Sequence, residues 1–428
     1  MGLLIAPTMK KLLYFILLLW LSCPLSAQEV ERYNRASIYP IFMLHPGARM
    51  YDEIYNACLA MPVPDKYNDH RLSVRIVQGM STKAKEKDVR AAAVAFVEKN
   101  QIAKRMVAKW FERDKKTGEC MTDLIVERAA YSVSVRDKMA ANYTISGKPV
   151  LPDADTELIP NTFVLISDIS YIDKEEKAQM AGAVFGMIGQ AAQIAGGAAG
   201  MAGSGTGSNF GDLGNSIAQL GSTIADLVAG FTVDITTYLF QLKWNEGIAN
   251  EFYLRYYCDS VHTTPERAKA FDADKTLFQL ELLGSYTARS DKTVMRGINK
   301  PEDVFRKVLT RAQDKNIVEL QRKYPQFKVT DVVSAVLPDK QVEVQIGLKE
   351  GVNEKSKYEV LERVFTKEGK IEYNRKAVLK ADPARIWDNR CMAVEEEATN
   401  AELGATRFNI ISGDKSSVYP GMLVREMR

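Results

Sequence analysis

Apolar and polar positions change period several times along the chain, and each change predicts an element. Leu72 to Val77 (LSVRIV) alternates apolar and polar residues, the period-two pattern of a strand. From Asp88 the run VRAAAVAFVEKNQIAKRMVAKWF is rich in Ala and carries an apolar stripe, which predicts a helix giving way to a strand near Met106 to Phe111. Lys115 to Glu119 (KKTGE) predicts a turn, Met121 to Ala130 a helix, Tyr131 to Val135 (YSVSV) a strand, and Arg136 the start of another helix. Thr162 to Ser170 (TFVLISDIS), dense in β-branched residues, predicts a strand. Its counterpart is Thr232 to Lys243 (TVDITTYLFQLK), followed by a turn at Asn245 to Gly247 and a third strand at Glu251 to Tyr257. Strands alternating with helices predict an α/β (α+β) mixed-sheet domain over residues 28–260.

Between the two long strand runs lies Ala178 to Gly211, a stretch with no charged residue. In its first arm Met180, Val184, Met187, Ala191, Ile194, Ala198 and Met201 recur at steps of four and three. A second arm repeats the rule with Leu213, Ile217, Leu220, Ile224, Leu227 and Phe231. That spacing makes an apolar seam on a helix, and the joining run Gly203 to Asp212 (GSGTGSNFGD) predicts an antiparallel helical hairpin over 178–231, inserted in the domain. Gly182, Gly186, Gly189, Gly214 and Gly221 flank the seam and allow two backbones to approach closely. Each such glycine costs about 1 kcal/mol of helix propensity relative to Ala, so the hairpin needs a surface to lie on: the rest of the domain, a second copy, or a membrane.

Beyond Cys258 the pattern predicts a helical connector over 261–325. Lys300-Pro301-Glu302-Asp303 opens its main helix, with Pro in the first turn and acids at the positive end of the dipole, and Pro325 stops it. Val329 to Val336, Gln341 to Ile346, Lys357 to Arg363 and Lys370 to Leu379 are then short strands separated by turns such as Lys349-Glu350-Gly351. They predict a small antiparallel β-barrel-like module over 326–428.

Composition adds a compartment. In 428 residues, Lys+Arg 57 against Asp+Glu 54 leaves a net charge of +3, which excludes a polyelectrolyte that grips nucleic acid by charge alone. Residues 9–27 read MKKLLYFILLLWLSCPLSA: two lysines, an apolar run from Leu12 to Leu21 too short to span a bilayer, Pro24 and then Ala27. That layout predicts a secretory signal peptide over 1–27, with Met9 as an alternative start and cleavage after Ala27. Loss of Lys10 and Lys11 takes the charge from +3 to +1. Cys23 offers a second reading, acylation as a lipoprotein, although Trp20-Leu21-Ser22 lacks the usual Leu at the third position before the Cys. The expected location is the periplasm or the outer membrane. In an oxidising compartment Cys58, Cys120, Cys258 and Cys391 are candidate disulfide cysteines, with three connectivities, or else four separate buried thiols.

Motifs for chemistry are sparse. His45, His70 and His262 form no pair at ligand spacing, and no C-x-x-C occurs, so no metal or cofactor is expected. Gly203-Ser204-Gly205-Thr206-Gly207 lacks the Lys of a phosphate loop and follows a predicted helix instead of a strand. Ser412-Gly413-Asp414-Lys415 satisfies S-x-x-K without its S-D-N or K-T-G companions. Lys109, Arg113, Lys115 and Lys116 interleave with Trp110 and Phe111, but Glu112, Asp114 and Glu119 balance them, and no nucleic-acid partner is expected.

The run LIVERAAYSVSVRDKM (Leu124 to Met139) resembles the segment of curli-production-assembly-type and related envelope α/β proteins in which a helix delivers a strand ending on an Arg. TFVLISDISYID is similar to the next core strand of that fold, and VDITTYLFQLKWNEGIANEFY to its closing hairpin. VEVQIGLKEGVNEKSKYEVLE, with Val418-Tyr419-Pro420-Gly421-Met422-Leu423-Val424, resembles the small β module of flagellar-assembly T-type proteins. The resemblance implies an envelope protein that works by assembly with other envelope proteins or with itself, without catalysis. Channel-forming members of the curli group span the membrane with alternating strands, whereas the insertion here has helical spacing. The resulting expectation is a non-enzymatic assembly, scaffold or binding component. The alternatives are a membrane-interacting or oligomeric translocation component using the Gly/Ala-rich hairpin, and a periplasmic hydrolase whose polar residues converge only in the fold.

Overall fold

A computed structural model describes residues 34–47, 50–81, 84–121, 157–174, 177, 228–259, 264–295, 300–365, 371–391, 393–394 and 397–427. Its elements, in chain order, begin with strand β1 (Ser37–Leu44), helix α1 (Tyr51–Ala60), the short strands β2 (Asn68–Asp69) and β3 (Ile76–Gln78), and helices α2 (Glu86–Lys99) and α3 (Ile102–Trp110). Strands β4 (Thr162–Asp173) and β5 (Val228–Leu242) follow, then helices α4 (Glu246–Arg255) and α5 (Pro265–Ala273), strand β6 (Leu280–Met295) and helix α6 (Pro301–Lys323). The remaining strands are β7 (Thr330–Val336), β8 (Val342–Val344), β9 (Lys357–Phe365), β10 (Ile371–Ala381), β11 (Thr406–Gly413) and β12 (Leu423–Glu426).

The first six strands form one mixed sheet in the order β2-β1-β4-β5-β6, with β3 also paired to β1. β1 runs parallel to β2, β3 and β4, whereas β5 runs antiparallel to both of its neighbours, β4 and β6. All eight residues of β1 are buried, because helices cover both faces of the sheet. Phe42, Leu44, Ile169, Phe231, Val233 and Ile235 face α1 and the first half of α6. Tyr39, Ile41, Met43, Val164, Ile166, Tyr238 and Phe240 face Val89, Ala93 and Val97 of α2 and Ile102 and Met106 of α3. Alternate residues of each strand therefore feed two cores, the period-two rule applied to a sheet buried on both sides. The other six strands close into a barrel in which every neighbouring pair is antiparallel. Val342, Val344, Val360, Leu379, Phe408 and Val424 fill its interior. The fold class is thus a mixed-sheet α/β domain followed by a small antiparallel barrel, as the sequence patterns predict.

Helix α6 joins the two parts. Pro301 in its first turn and Glu302 and Asp303 beside the N-terminal dipole start it; a 3-10 turn at Pro325–Phe327 ends it and leads directly into β7. Phe327 stacks on Tyr67 with ring centroids 5.1 Å apart, and Gln321 Nε2 donates to the Tyr67 hydroxyl at 2.8 Å. Lys66 pairs with Asp331 of β7 at 2.8 Å, so the barrel docks on the loop before β2 through an aromatic contact flanked by an ion pair. In the middle of α6, Asn316 is fully buried, and its Nδ2 donates to the carbonyls of Ile235 in β5 (2.9 Å) and Tyr286 in β6 (3.0 Å).

Several expectations are corrected. Met106 to Phe111 is not a strand: Ile102, Met106 and Trp110, with Ala103 and Val107 beside them, are buried at a spacing of four, and Gln101 at φ 52° starts a new helix after α2. Glu251 to Tyr257 is not a strand either. Asn245 accepts from the Ile248 amide at 3.0 Å, so the supposed turn is the N-cap of α4, which buries Ala249 and Phe252. The stretch 261–325 is not wholly helical; it holds β6, which completes the sheet by pairing with β5 over Val228–Leu242. Of Leu72 to Val77 only Ile76 and Val77 are in a strand, β3. Met121 to Ala130, Tyr131 to Val135 and the helix from Arg136 fall on residues 122–156, outside the described residues apart from Met121, which is not helical.

Candidate functional site

β4 and β5 pair through eleven consecutive positions without a register shift, from Phe163↔Gln241 to Asp173↔Phe231. The segment 174–227 therefore leaves the sheet beside the point where it returns. β-branched and aromatic residues on both strands give this ladder its continuity, and a buried pair, Ser167 Oγ to Thr237 Oγ1 at 2.9 Å, links the two strands midway. At its end the Phe231 ring meets Tyr171 (6.4 Å) and Phe305 of α6 (5.3 Å, edge-on), and Lys174 pairs with Asp291 of β6 at 3.0 Å. Phe231, placed on the apolar seam by its spacing, is instead a buried β5 residue of the sheet core. Its step of four from Leu227 fits a helix, but its register with Asp173 makes it a strand residue. Met180, Val184, Met187, Ile194, Met201, Leu213, Ile217, Leu220, Ile224 and Leu227 lie outside the described residues.

A second polar grouping lies at the same end of the sheet. His45 follows β1, Met80 follows β3, and Asp168 stands in β4 opposite Met43. His45 Nε2 lies 2.7 Å from Asp168 Oδ1, and its Nδ1 contacts the Met80 carbonyl oxygen. A carbonyl oxygen accepts and a carboxylate accepts, so the site offers an acceptor to each ring nitrogen and favours the imidazolium form. The hydrogen bond to Asp168 raises its pKa, against the opposing effect of burial, and the Met80 carbonyl adds to the rise. The carboxyl ends of parallel strands are where open α/β sheets place ligands. Here, however, the imidazole is only 8% exposed and has both nitrogens engaged, so its role in the fold is to tie the ends of β1 and β3 to β4.

Two clefts lie where barrel and α/β domain meet. One, of about 600 Å³, is lined by Arg35, Lys328, Glu359, Arg425 and Glu426 among others. Its charges are matched in pairs: Arg35 with Glu157, Lys328 with Glu426 (2.8 Å) and Arg425 with Glu359 (2.7 Å). The other, of about 570 Å³, runs between β6, α6 and the barrel and includes Asp314, Lys349 and Cys391. Burial pushes the Asp314 carboxyl above its usual range. Burial opposes the Lys349 charge, but Asp314 and Asp65 outweigh it and hold the ammonium above its ordinary value. Glu350, which accepts from the Gly347 amide and the Asn389 side chain at 2.7 Å each, is also raised by burial.

The remaining candidates are placed as follows. His70 is buried, stacks on Trp110 at 5.0 Å and contacts the Met106 carbonyl at 3.0 Å; His262 is outside the described residues. Trp110 and Phe111 are fully buried, so the basic and aromatic run around Lys109 offers no stacking platform for a base. Ser412 lies in β11 and Gly203 to Gly207 outside the described residues. Cys58, Cys120 and Cys258 are buried thiols, and Cys391 is a half-buried one. Among the described residues no group of three His, Cys, Asp or Glu side chains could hold a metal, and no helix is long and apolar enough to cross a membrane. Sequence reasoning missed the His45–Asp168 pair, whose members stand 123 positions apart with nothing local to join them. No family model matches the chain, and no curated protein matches it in sequence.

Proposed function

We propose that this chain is an exported, non-enzymatic assembly component of the bacterial envelope, in which the sheet is a rigid platform and the Gly/Ala-rich segment it carries is the surface that associates with another envelope protein or a second copy. The observation that carries this reading is the unbroken β4–β5 ladder, with Asp173 opposite Phe231 at its end. A long, glycine-rich segment with only Asp212 and Asp226 charged between 178 and 227, rooted at one point of a doubly covered sheet, can engage a partner without disturbing the platform. The signal-peptide layout of residues 9–27 and the resemblance to envelope assembly proteins supply the compartment.

The test compares the solution mass of the mature chain with that of a variant lacking residues 178–227, in which Lys177 is joined to Val228. Because the roots are already paired, the variant is expected to keep the circular dichroism of the sheet while losing the oligomer that the intact chain forms. Equal mass per chain for the two would remove the segment as an association surface. Flotation with liposomes only when the segment is present would replace the protein partner by a membrane.

A further inference from the structure

We propose that Cys120 and Cys258 are a disulfide site, one cross-link chosen from the connectivities open to four cysteines. The Cys120 amide donates to the Cys258 carbonyl at 2.8 Å. With standard covalent lengths on either side of that bond, the two Cα atoms can be no more than about 6.7 Å apart, inside the span that a disulfide bridges. Each Sγ now rests on the carbonyl two residues back, Gly118 at 3.8 Å for Cys120 and Tyr256 at 3.7 Å for Cys258, weak contacts that a side-chain rotation releases. The thiols are close enough that charge on Cys258 bears on Cys120. The backbone around them is tied from both sides: Met121 N–H donates to the Phe111 carbonyl at 2.8 Å, and Arg267 and Arg113 bond the carbonyls of Tyr257 (2.8 Å) and Ala268 (3.1 Å). The other two cysteines are elsewhere. Cys58 packs from α1 into the core beneath α6, and Cys391 lines the cleft by Asp314.

The oxidant is a disulfide, for which oxidised glutathione serves as the probe. Cys120 as thiolate attacks one glutathione sulfur and expels the other as thiolate; Cys258 as thiolate then attacks the Cys120 Sγ and expels the second. One S–S bond breaks and one forms, the two cysteine protons pass to the two glutathione thiolates, and two electrons move to the glutathione. Burial pushes the Cys120 thiol up to about 11, so the folded chain holds roughly a hundredfold less thiolate at pH 8 than an exposed cysteine would and oxidises correspondingly slowly. The cross-link closes the chain from residue 120 to 258, which encloses β4, β5 and the whole Gly/Ala-rich segment.

In the test, the reduced full chain is refolded in a buffer of reduced and oxidised glutathione, free thiols are capped with iodoacetamide, and the peptides are mapped by mass before and after reduction. The native reduced chain, exposed to oxidised glutathione over days, is mapped alongside. A peptide pair joining Cys120 to Cys258 and released by reductant is expected by both routes, with Cys58 and Cys391 capped. Cys120→Ser and Cys258→Ser should each abolish the pair and leave the remaining thiol capped. Both thiols found capped in a refolded chain of native circular dichroism, or either joined to another cysteine or to glutathione, would overturn the assignment.

Discussion

Asn316 offers the sharpest test of how α6 is held on the sheet. Its Nδ2 donates to strand carbonyls of β5 and β6 at 2.9 and 3.0 Å, and its Oδ1 has no partner among the described residues. Two acceptors can be satisfied only by the amide's donor end, so the side chain's orientation is dictated by the site. Asn316→Ala removes two neutral hydrogen bonds, each contributing about 1 kcal/mol net, and leaves a small cavity; deleting the unpartnered oxygen offsets part of this. The expected loss is about 2 kcal/mol. Asn316→Asp has almost the same shape but turns a carboxylate toward two carbonyl oxygens in a fully buried place. An uncompensated buried charge raises the loss to roughly 4 kcal/mol at pH 7. The sign with pH follows from linkage: the folded carboxyl titrates above its unfolded value, so the aspartate variant regains stability as pH falls toward 5, where the protonated acid donates one hydrogen bond. Equilibrium urea unfolding followed by tryptophan fluorescence, at pH 7 and pH 5, measures all three chains. Aspartate and alanine variants within about 0.5 kcal/mol of each other at pH 7, or no recovery at pH 5, would falsify the two-carbonyl clip.

Two further substitutions probe separate parts of the fold. Gly413 has φ 99°, and a Cβ there would lie 2.2 Å from the Lys376 carbonyl oxygen and 2.7 Å from the Ala377 Cα, both backbone atoms of β10. Gly413→Ala is therefore expected to cost roughly 3 kcal/mol, whereas Gly404→Ala, at φ 72° with open space around it, should cost about 1. Similar melting temperatures for the two variants would count against the close β10–β11 approach. His45 has its folded pKa raised above the ordinary 6.5, so its stabilisation is complete below that value and is lost as pH rises through the folded one. Wild type should lose up to about 1.4 kcal/mol per pH unit in that window relative to His45→Gln, measured by urea unfolding from pH 5.5 to 9; parallel pH curves would mean the ring is not charged in the native state.

The parts of the fold legible in the sequence are those written as unbroken local pattern. β4 and β5 carry long β-branched runs, α6 has a proline start and a proline stop, and four of the six barrel strands are short runs separated by turn residues such as Pro338-Asp339 and Gly351. Where the reading failed, a short apolar run fitted both periods. The stretch before Phe111 and that from Glu251 to Tyr257 contain aromatic and β-branched residues that suggest strands, yet each is a helix whose capping or restart depends on a single residue, Asn245 or Gln101. β6 was hidden for a different reason. As the edge strand it mixes Ser285, Arg289, Ser290 and Asp291 with its apolar positions, and only its partner β5 reveals the alternation. Of the candidate chemistry, no local pattern pointed to His45 with Asp168 or to Asp314 with Lys349, because each pair is brought together by strand order and helix docking.

The end-to-end pairing of β4 and β5 also bears on the order in which the molecule can fold. Residues such as Asp173 and Phe231 meet only after the long intervening stretch has looped back, and the entropy of that closure grows slowly, by about 0.6 kcal/mol for each doubling of length. The finished sheet accommodates so large a detour at small thermodynamic expense. Its burden is kinetic: the most regular contact in the domain is non-local, so the two strands must wait for one another, and until they meet each has an open, apolar flank that invites mispairing.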